Sequence, residues 1–468
     1  MEAIMGAMDW INGIAWGWPG MIIVVGGGLY LTIRLAGFQF VNFGRAFKLL
    51  VRKATPDLVD VTKGQITPRQ ALWAATAATV GNGNLAGVAT AIAMGGPGAV
   101  FWMWITALVG MATKSAEVML GRHFRTINPD GSISGGPMYY LTKGLNLKWL
   151  GWIFALFAAI AAPGIGLMVQ SNSSAFALEF GFGVPRLATG IVMAVALGLV
   201  IIGGIKIIAK VTEALVPVMG VFYIIVAIIV LAMNVVDVGP ALGLIFKHAF
   251  TPYAPVAGVV GYMVAQTMRF GVARGIFSNE AGLGSAPIVH AASTIRNPIH
   301  QGYLGIFEVF LDTLAINTMT ALVILTSGVF GTAAYFATEP LLTSTPLLIA
   351  GYTATIGGWG APLVGVASFL FGFSTMLTWS YYGERSLCFI TGERRMVHLV
   401  YRSIFVVLCV WGALQTIAFV WLFTDTTNGL MLLPNMIALV LLAGTLYKLT
   451  KGWAKEDILR RVEREEKR

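Results

Sequence analysis

The chain has few charged residues and very few cysteines. Asp, Glu, Lys and Arg make up only 11% of its 468 residues, less than half of the roughly 25% that a soluble domain carries. So few charges cannot cover a water-facing surface of this length, which excludes a soluble enzyme. The two cysteines, Cys388 and Cys409, lie in or beside apolar runs and are predicted to be packing residues rather than parts of a disulfide framework.

Motifs for catalysis and for nucleotide use are also missing. The five histidines are dispersed and show no metal-ligand spacing such as HExxH, which disfavours a membrane-embedded enzyme. No nucleotide-binding loop occurs, so ATP-driven transport is not expected. The N-terminus lacks a basic stretch followed by a small-residue cleavage site, so the first apolar run is predicted to be a true span.

More than half of the residues in the chain are apolar. They form 57% of the chain, and the mean hydropathy is +0.78. Because a membrane-spanning helix needs about 20 apolar residues, the sequence predicts one all-α polytopic domain surrounded by membrane lipid. Its eleven predicted helices lie near 17–37, 70–94, 98–120, 149–180, 186–208, 212–233, 256–284, 301–330, 361–389, 399–423 and 429–449.

The basic residues are distributed unequally between the two sides of this predicted bundle. With the N-terminus outside, 26 of the 31 Lys and Arg residues fall on the inner side and 2 on the outer side. Cytoplasmic loops carry such an excess, so we expect a multi-pass inner-membrane protein with a cytoplasmic C-terminus. The tail 450–468 is predicted to be a basic cytoplasmic segment. The net charge of +10 therefore reflects topology and does not indicate nucleic-acid binding.

Two of the predicted helices contain residues that interrupt a helix. The run Thr79–Gly87 places two asparagines and three glycines in the middle of 70–94. In 256–284 a second cluster begins with Arg269–Gly275, which places two cations beside glycines, and continues with the polar and Gly-rich run Ser278–Pro287. Asn and Gly are poor helix formers, and irregular backbone at membrane depth survives only where it lines a cavity. We therefore predict two discontinuous helices, although a glycine-packed continuous helix remains the alternative for the first.

The two predicted breaks occupy matching positions. When the extra N-terminal helix 17–37 is left out, they fall in the first helices of two five-helix halves, 70–233 and 256–449. Five is odd, so the second half enters the membrane from the opposite side. Interrupted helices at matching positions in inverted repeats indicate a transporter binding site.

Three stretches carry a resemblance to a known family. Residues 95–110, GGPGAVFWMWITALVG, look like the signature of the alanine or glycine:cation symporter family, also called the sodium:alanine symporters. Residues 81–92, GNGNLAGVATAI, and 277–287, FSNEAGLGSAP, resemble the same family. The resemblance implies a LeuT-type fold of five-plus-five inverted repeats and sodium-coupled uptake of alanine or glycine, with no obligatory protein partner.

A zwitterion and a sodium ion require different groups from the site. Half-helix N-termini offer amides to a carboxylate, and unwound carbonyls bind Na⁺ or ammonium. We predict that the amides of Gly81, Asn82 and Gly83 bind the substrate carboxylate. Carbonyls near Thr79, its hydroxyl and the amide oxygen of Asn84 are predicted Na⁺ ligands.

A second sodium site is suggested by analogy with the wider symporter fold. It would use the hydroxyls of Ser374 and Thr375 and the carbonyls of Ala77 and Val80. Hydrogen bonds from these hydroxyls to their own helix are the alternative explanation. We expect the Thr375 hydroxyl to contact the substrate as well.

Four further residues are predicted to contact the substrate. The Gln170 side chain is expected to hydrogen-bond it, with structural packing as the alternative. The carbonyls of Phe270 and Gly271 are candidates for the ammonium group. Phe270 and Trp379 together are predicted to cap a pocket that admits only small side chains.

Other ionisable groups in or near spans leave the coupling ion open. Because the predicted breaks contain no carboxylate, neutral oxygens favour Na⁺. A proton carried by Glu280, Glu384 or Asp312 is the alternative, as is an exchanger of small amino acids, and a small-solute channel is disfavoured. For Arg274 and Glu280 we favour a salt-bridge network that acts in gating.

Overall fold

Helices form nearly all of the chain in the computed structural model, which describes residues 2–51, 58–60, 64–128, 131–254, 263–338 and 341–452. The helices are α1 Glu2–Ala15, α2 Trp18–Met21, α3 Gly27–Arg34, α4 Phe38–Val41, α5 Phe43–Val51, α6 Pro68–Thr79, α7 Val88–Gly95, α8 Ala99–His123, α9 Pro137–Gly144, α10 Lys148–Pro163, α11 Val169–Phe182, α12 Arg186–Ile201, α13 Gly204–Met233, α14 Val235–His248, α15 Val264–Asn279, α16 Ala286–His290, α17 Pro298–Val309, α18 Thr318–Thr326, α19 Ala333–Phe336, α20 Ser344–Ile356, α21 Gly360–Thr391, α22 Arg395–Leu414, α23 Ile417–Leu441 and α24 Ala443–Gly452. Wider π-helical turns join several of these, at Ile22–Gly26, Gly83–Gly87, Gly164–Met168 and Phe310–Asn317. A short hairpin pairs β1 Thr126–Ile127 with β2 Ile133–Ser134 in antiparallel register.

Six helical segments of the described residues are long and apolar enough to cross a membrane, and two bent helix pairs bring the number to eight. They are Ala99–His123, Lys148–Phe182, Gly204–Met233, Pro298–Thr326, Ser344–Thr391, Arg395–Leu414, and the pairs α1 to α3 and α23 to α24. These correspond to eight of the eleven predicted helices. The other three predictions, 70–94, 186–208 and 256–284, coincide with helices that are interrupted or short.

Several predicted boundaries are wrong for local reasons. The helix predicted at 186–208 ends at Ile201, because Gly204 has a left-handed φ of 62° at the start of α13. The boundary between the predicted helices 399–423 and 429–449 lies instead at Gln415 and Thr416. The Thr416 hydroxyl accepts a hydrogen bond from the Phe419 amide and caps the start of α23. The sequence analysis also missed α14 and α20. The tail 453–468 and the beginning of the predicted helix 256–284 lie outside the described residues.

Two long helices organise the core. α21 packs against α6, α10, α11, α13 and α20, and α8 packs against α15 and α17. The middle of α21, where Ser374, Thr375 and Trp379 lie, is fully buried beside the end of α6. The packing therefore brings the residues of the predicted site to the centre of the bundle.

Candidate substrate and ion site at two helix breaks

The first predicted break is present. α6 ends at Thr79, Val80 leaves the helix with φ −80° and ψ 89°, and a π-helical turn begins at Gly83. The Asn84 side-chain oxygen accepts the Gly81 amide at 2.8 Å. A side-chain oxygen that competes for a backbone amide favours such non-helical conformations, so the residues that predicted the break also stabilise it.

Asn82 is held on every side at this break. Its backbone amide donates to the Gln170 side-chain oxygen at 2.9 Å, and its side-chain nitrogen contacts Ser174 Oγ and the Ser368 carbonyl, each at 3.2 Å. Ser368 Oγ donates in turn to the Asn82 oxygen at 2.6 Å. Gln170 and Asn82 thus connect the first break to α11 and α21, and a carboxylate that used the Asn82 amide would displace Gln170.

The two glycines of the break are sites of close approach. A Cβ on Gly81 would lie 2.3 Å from Thr375 Oγ1 and 3.1 Å from Gln170 Oε1. A Cβ on Gly83 would lie 3.1 Å from the Phe277 ring. Gly81, Gln170 and Thr375, predicted separately as substrate ligands, therefore meet in one place.

The predicted second ion site is only partly assembled. The Thr375 hydroxyl lies 2.9 Å from the Ala77 carbonyl and 3.0 Å from that of Phe371, and Ser374 Oγ lies 3.5 Å from the Ala77 carbonyl. Val80 follows at the end of α6. The Thr79 hydroxyl, which was predicted for the first ion site, donates back to the Thr76 carbonyl at 3.1 Å. α6 and α21 thus place two hydroxyls at the Ala77 carbonyl, while Thr79 is turned into its own helix.

A second polar cluster lies on the other side of the break and includes residues that the sequence analysis missed. Asn84 Nδ2 contacts Asp312 Oδ1 at 2.6 Å and Asn317 Oδ1 at 2.8 Å. Ser278 Oγ donates to Asp312 Oδ1 at 3.0 Å and accepts from Asn317 Nδ2 at 3.0 Å. We call Asn84, Ser278, Asp312 and Asn317 the oxygen cluster.

Although the first break itself contains no carboxylate, the oxygen cluster brings one to it from another part of the chain. All four of its residues are buried, with at most 2% of their surface exposed. Asp312 and Asn317 both come from the π-helical turn Phe310–Asn317. An ionisable residue inside an apolar span is the signal that could have found this site, since sequence alone gave Asp312 only as a proton carrier.

The second break lies in the later part of its predicted cluster, at Glu280–Ser285, and not at Gly271 and Gly275. α15 continues without interruption through Arg269–Gly275 to Asn279, and the chain leaves the helix at Glu280, with positive φ at Glu280, Gly282 and Gly284. Gly271 and Gly275 serve helix packing instead, because a Cβ on either would collide with α8. The Phe270 and Gly271 carbonyls lie inside a continuous helix and are not free for an ammonium group.

Phe277, two turns after Phe270, is the aromatic residue that reaches the first break. Its ring packs against Gly83 and lies 4.7 Å, centroid to centroid, from the ring of Trp421. Phe270 instead lines a cavity of about 1180 Å³ together with Thr90, Trp421 and Asp425. The predicted pairing of Phe270 with Trp379 over one pocket is therefore wrong.

Trp379 is fully buried and fixed from two sides. Its Nε1 donates to Glu280 Oε1 at 2.7 Å, and Gly166 approaches so closely that a Cβ there would lie 2.0 Å from the Trp379 Cβ. Ser285 also donates to Glu280. Glu280 thus joins the second break to α21 through Trp379, which lies four residues after Thr375.

The loop of the second break is tied to α8. Glu117 Oε1 accepts the amides of Gly282 and Gly284 at 3.0 and 3.1 Å and the Asn435 side chain at 2.6 Å. Lys114 pairs with Glu308 at 2.8 Å, and both side chains are completely buried. Lys114 and Glu117 lie three residues apart on α8, but both are buried and each has a different partner in the core.

Arg274 and Glu280 do not pair with each other. Arg274 makes a two-pronged contact with Asp425, at 2.8 and 2.6 Å, and its guanidinium lies 4.3 Å from the centre of the Trp421 ring. Trp421 also packs 3.5 Å from the position that a Gly87 Cβ would occupy. All three side chains line the large cavity, and Trp421 also faces the residues of the first break.

Comparison with known proteins identifies the family. The family model described as "Sodium:alanine symporter family" matches residues 1–467. The chain belongs to the sodium:alanine symporter family. It is a membrane transporter and not an enzyme, as the resemblance of residues 95–110 implied.

Relatives support the family assignment, and one solved structure shows a similar fold. The chain is 42% identical to the sodium/alanine symporter AgcS of Methanococcus maripaludis, over 95% of this chain and 96% of that protein. It is 36% identical to the probable sodium/glutamine symporter GlnT of Bacillus subtilis, over 95% and 90%. The crystal structure of MhsT in complex with L-phenylalanine shares the fold with a TM-score of 0.57 at 13% identity, over 80% of this chain and 89% of that one. This member of the sodium:alanine symporter family therefore shares its overall helical fold with that structure.

Proposed function

We propose that this protein imports alanine or glycine together with Na⁺ by alternating access across the cell membrane. In this proposal the N-terminus lies outside and the C-terminus in the cytoplasm, as the distribution of Lys and Arg predicts. The first helix of each inverted half is discontinuous, at Val80–Asn82 in 70–233 and at Glu280–Ser285 in 256–449. Discontinuous helices at these positions are what such transporters use to bind substrate and ion.

The observation that carries the proposal is the oxygen cluster at the first break. Hard cations prefer oxygen ligands. Oxygens of Asp312 and Asn317 meet the Asn84 side-chain nitrogen, and the Ser278 hydroxyl is bonded to both Asp312 and Asn317. The Asp312 carboxylate would neutralise the charge of one Na⁺ ion. We assign this cluster as the first Na⁺ site, in place of the site predicted around Thr79.

The seam between α6 and α21 is the proposed second Na⁺ site. Both hydroxyls, those of Ser374 and Thr375, already lie against the Ala77 carbonyl, and the Val80 carbonyl follows where α6 ends. An ion there would replace the hydrogen bonds that these hydroxyls donate to the carbonyls. Na⁺ at this site would therefore join α6 to α21.

The substrate is proposed to bind between the two ion sites. Its carboxylate would meet the amides of Gly81, Asn82 and Gly83, with Gln170 and Thr375 at the same wall. Its ammonium would meet carbonyls of the last turn of α15, which replaces the role first given to Phe270 and Gly271. Trp379, held by Gly166 and Glu280, would limit the side chain to a hydrogen atom or a methyl group.

Alternating access requires a barrier on each side of the site. The Arg274–Asp425 pair and the Trp421 ring form the proposed outer barrier, below the large cavity. The loop Glu280–Ser285, which Glu117 and Trp379 hold, forms the proposed inner barrier. Opening one side while the other stays closed would carry substrate and Na⁺ across.

Proton-coupled symport is the second candidate, and Asp312 is the observation that favours it. A buried carboxylate within reach of the substrate site can exchange a proton as well as bind Na⁺. The two candidates differ in which gradient drives uptake. They can therefore be separated without any variant.

Uptake of labelled alanine into sealed proteoliposomes tests the proposal. We expect accumulation above equilibrium with an inward Na⁺ gradient, and competition by unlabelled glycine. Accumulation that needs only an inward proton gradient would replace Na⁺ with H⁺. Uptake that merely equilibrates would indicate a channel, and exchange that requires internal amino acid would indicate an exchanger.

The change Asp312→Asn tests the first ion site. Because it removes the only carboxylate of the oxygen cluster, we expect the Na⁺ concentration for half-maximal uptake to rise at least tenfold, a loss of about 1.4 kcal/mol. The matched control is Asp237→Asn, since Asp237 is exposed on α14. An unchanged Na⁺ dependence in correctly folded Asp312→Asn protein would refute the assignment.

The change Trp379→Ala tests the size limit. Removal of the indole opens space beside Gly166, so we expect larger neutral amino acids to compete for alanine uptake. Trp379→Phe removes the hydrogen bond to Glu280 but keeps an aromatic ring in the pocket, so it should keep most of the limit. The control is Trp411→Ala, where the side chain is 42% exposed. The same competition profile in Trp379→Ala and wild type would contradict the pocket role.

A further inference from the structure

A cysteine, a glutamate and a histidine converge where α21 ends and α22 begins. Potential ligand atoms of Cys388, Glu393 and His398 all lie within 4.8 Å of one another. Cys388 Sγ is 3.6 Å from His398 Nε2, and that nitrogen is 3.3 Å from Glu393 Oε2. Tetrahedral zinc, with bonds of about 2.3 Å to sulfur and about 2.0 Å to nitrogen, holds such atoms roughly 3.5 Å apart. The three side chains are therefore within reach of one metal ion, although the Cys388 sulfur, which is also 3.7 Å from His398 Nδ1, would have to turn towards Nε2 for both to bind it.

The surrounding groups orient these ligands. Glu384 Oε1 lies 2.8 Å from His398 Nδ1, so a carboxylate can accept a hydrogen bond from Nδ1 and leave Nε2, 3.3 Å from Glu393 Oε2, as the nitrogen for a metal ion. Arg402 donates to both oxygens of Glu384, at 2.5 and 2.9 Å. A metal-binding histidine commonly donates its other nitrogen to a carboxylate in this way.

Glu393 is arranged similarly. Arg385 Nη1 donates to Glu393 Oε1 at 2.9 Å, and Asn128 Nδ2 donates to the same oxygen at 3.2 Å. The other oxygen, Oε2, is the one that faces His398. One oxygen is thus satisfied by protein donors while the second is directed at the place where a metal would lie.

We propose that Cys388, Glu393 and His398 form a binding site for a divalent metal ion of the zinc class, with water as the fourth ligand. Binding converts the Cys388 thiol to a thiolate and releases its proton to water. The sulfur and imidazole ligands select zinc-like ions over Na⁺, Mg²⁺ and Ca²⁺, which prefer oxygen.

Charge and access are compatible with such a site. The carboxylates of Glu384 and Glu393 balance the cations of Arg385 and Arg402, so a divalent ion with one thiolate leaves a net charge of +1. A cavity of about 200 Å³, lined by Tyr381, Glu384, Arg385 and Arg402 among others, opens beside the cluster. The His398 side chain is 19% exposed, so an ion can reach the imidazole from solvent.

Cys409, the other cysteine, has a different environment and provides a matched control. Its sulfur lies 3.8 Å from Met376 Sδ and 3.9 Å from the Gly190 carbonyl. It is fully buried among helices, as predicted for a packing residue. The same prediction for Cys388 overlooked the glutamate and histidine that follow it at five-residue intervals.

Metal titration of the purified, tag-free full-length protein tests the proposal. After treatment with a chelator, Zn²⁺ is added in competition with a fluorescent zinc indicator, and Co²⁺ is added in a parallel absorption experiment. We expect one equivalent of Zn²⁺ and a thiolate-to-cobalt charge-transfer band. Cys388→Ser and His398→Gln should weaken Zn²⁺ binding at least tenfold, and Cys388→Ser should abolish the band, whereas Cys409→Ser should behave as wild type.

Other outcomes would overturn the site. The absence of stoichiometric Zn²⁺ binding would do so, as would equal affinity in wild type, Cys388→Ser and His398→Gln. Alanine uptake by the same preparations reports whether each variant is folded. Because the metal is measured directly, failure of the zinc site and failure of the proposed transport function give different results.

Discussion

Replacement of Gly81 by alanine is expected to reduce transport at least tenfold and to have one of the largest effects of any single methyl group. The added Cβ would lie 2.3 Å from Thr375 Oγ1, a separation that real Cβ contacts do not show. The Thr375 side chain, α21 or the first break must move, and both the proposed carboxylate site and the second ion site depend on their contact. A displacement of about 1 Å can cost as much as 100-fold in a site that depends on exact geometry.

The matched control for Gly81→Ala is Gly220→Ala on α13, where no atom lies within 4 Å of the added Cβ. Initial rates of alanine uptake, corrected for the amount of folded protein, measure the effect. We expect Gly220→Ala to transport as wild type. If both variants transport normally, α6 and α21 do not form the site at this contact.

Loss of the Lys114 charge is expected to destabilise the protein strongly. Lys114 pairs with Glu308 at 2.8 Å in a completely buried position and also interacts electrostatically with Glu117 and Glu280. Lys114→Met would leave carboxylates buried without this cation. Removal of one partner from a buried pair typically costs about 3–5 kcal/mol, so we expect a clear fall in melting temperature in detergent.

The double variant Lys114→Met with Glu308→Gln distinguishes the effect of an unpaired buried charge on stability from the effect of altered packing. Because it removes both members of the pair, it should recover part of the stability that Lys114→Met loses. Lys210→Met, at an exposed position of α13, is the control and should melt as wild type. Equal melting temperatures for Lys114→Met and wild type would show that the buried pair contributes nothing.

The two breaks illustrate how far residue types alone can predict this fold. At the first break, the Asn and Gly residues that predict non-helical backbone also make the bonds that hold it, such as Asn84 to Gly81. At the second, Gly271 and Gly275 look the same in sequence but pack against α8, and the helix ends only at Glu280. A glycine allows both close packing and a turn, and its neighbours in space decide between them.

The candidate ion sites also divide into a part that the sequence predicted and a part that only the structure revealed. Ser374, Thr375 and Ala77 were predicted by analogy with a known fold and do meet. The oxygen cluster was not predicted, because Asp312 and Asn317 are more than 200 residues from Asn84 in the chain. Their signal was only polar side chains in an apolar span. Long-range packing of α15 and the turn Phe310–Asn317 onto the break was needed to bring them together.

The sequence by itself determined that this chain is a helical membrane transporter of the sodium:alanine symporter family. A shortage of charge, runs of apolar residues and the local motif at 95–110 suffice for that conclusion, because each depends on neighbouring residues. Only the tertiary structure decided which polar groups face one another. The scarce charges, few enough to exclude a soluble enzyme, lie partly in the core, where Lys114, Arg274 and Asp312 each need a specific partner because membrane and protein interior offer them little water.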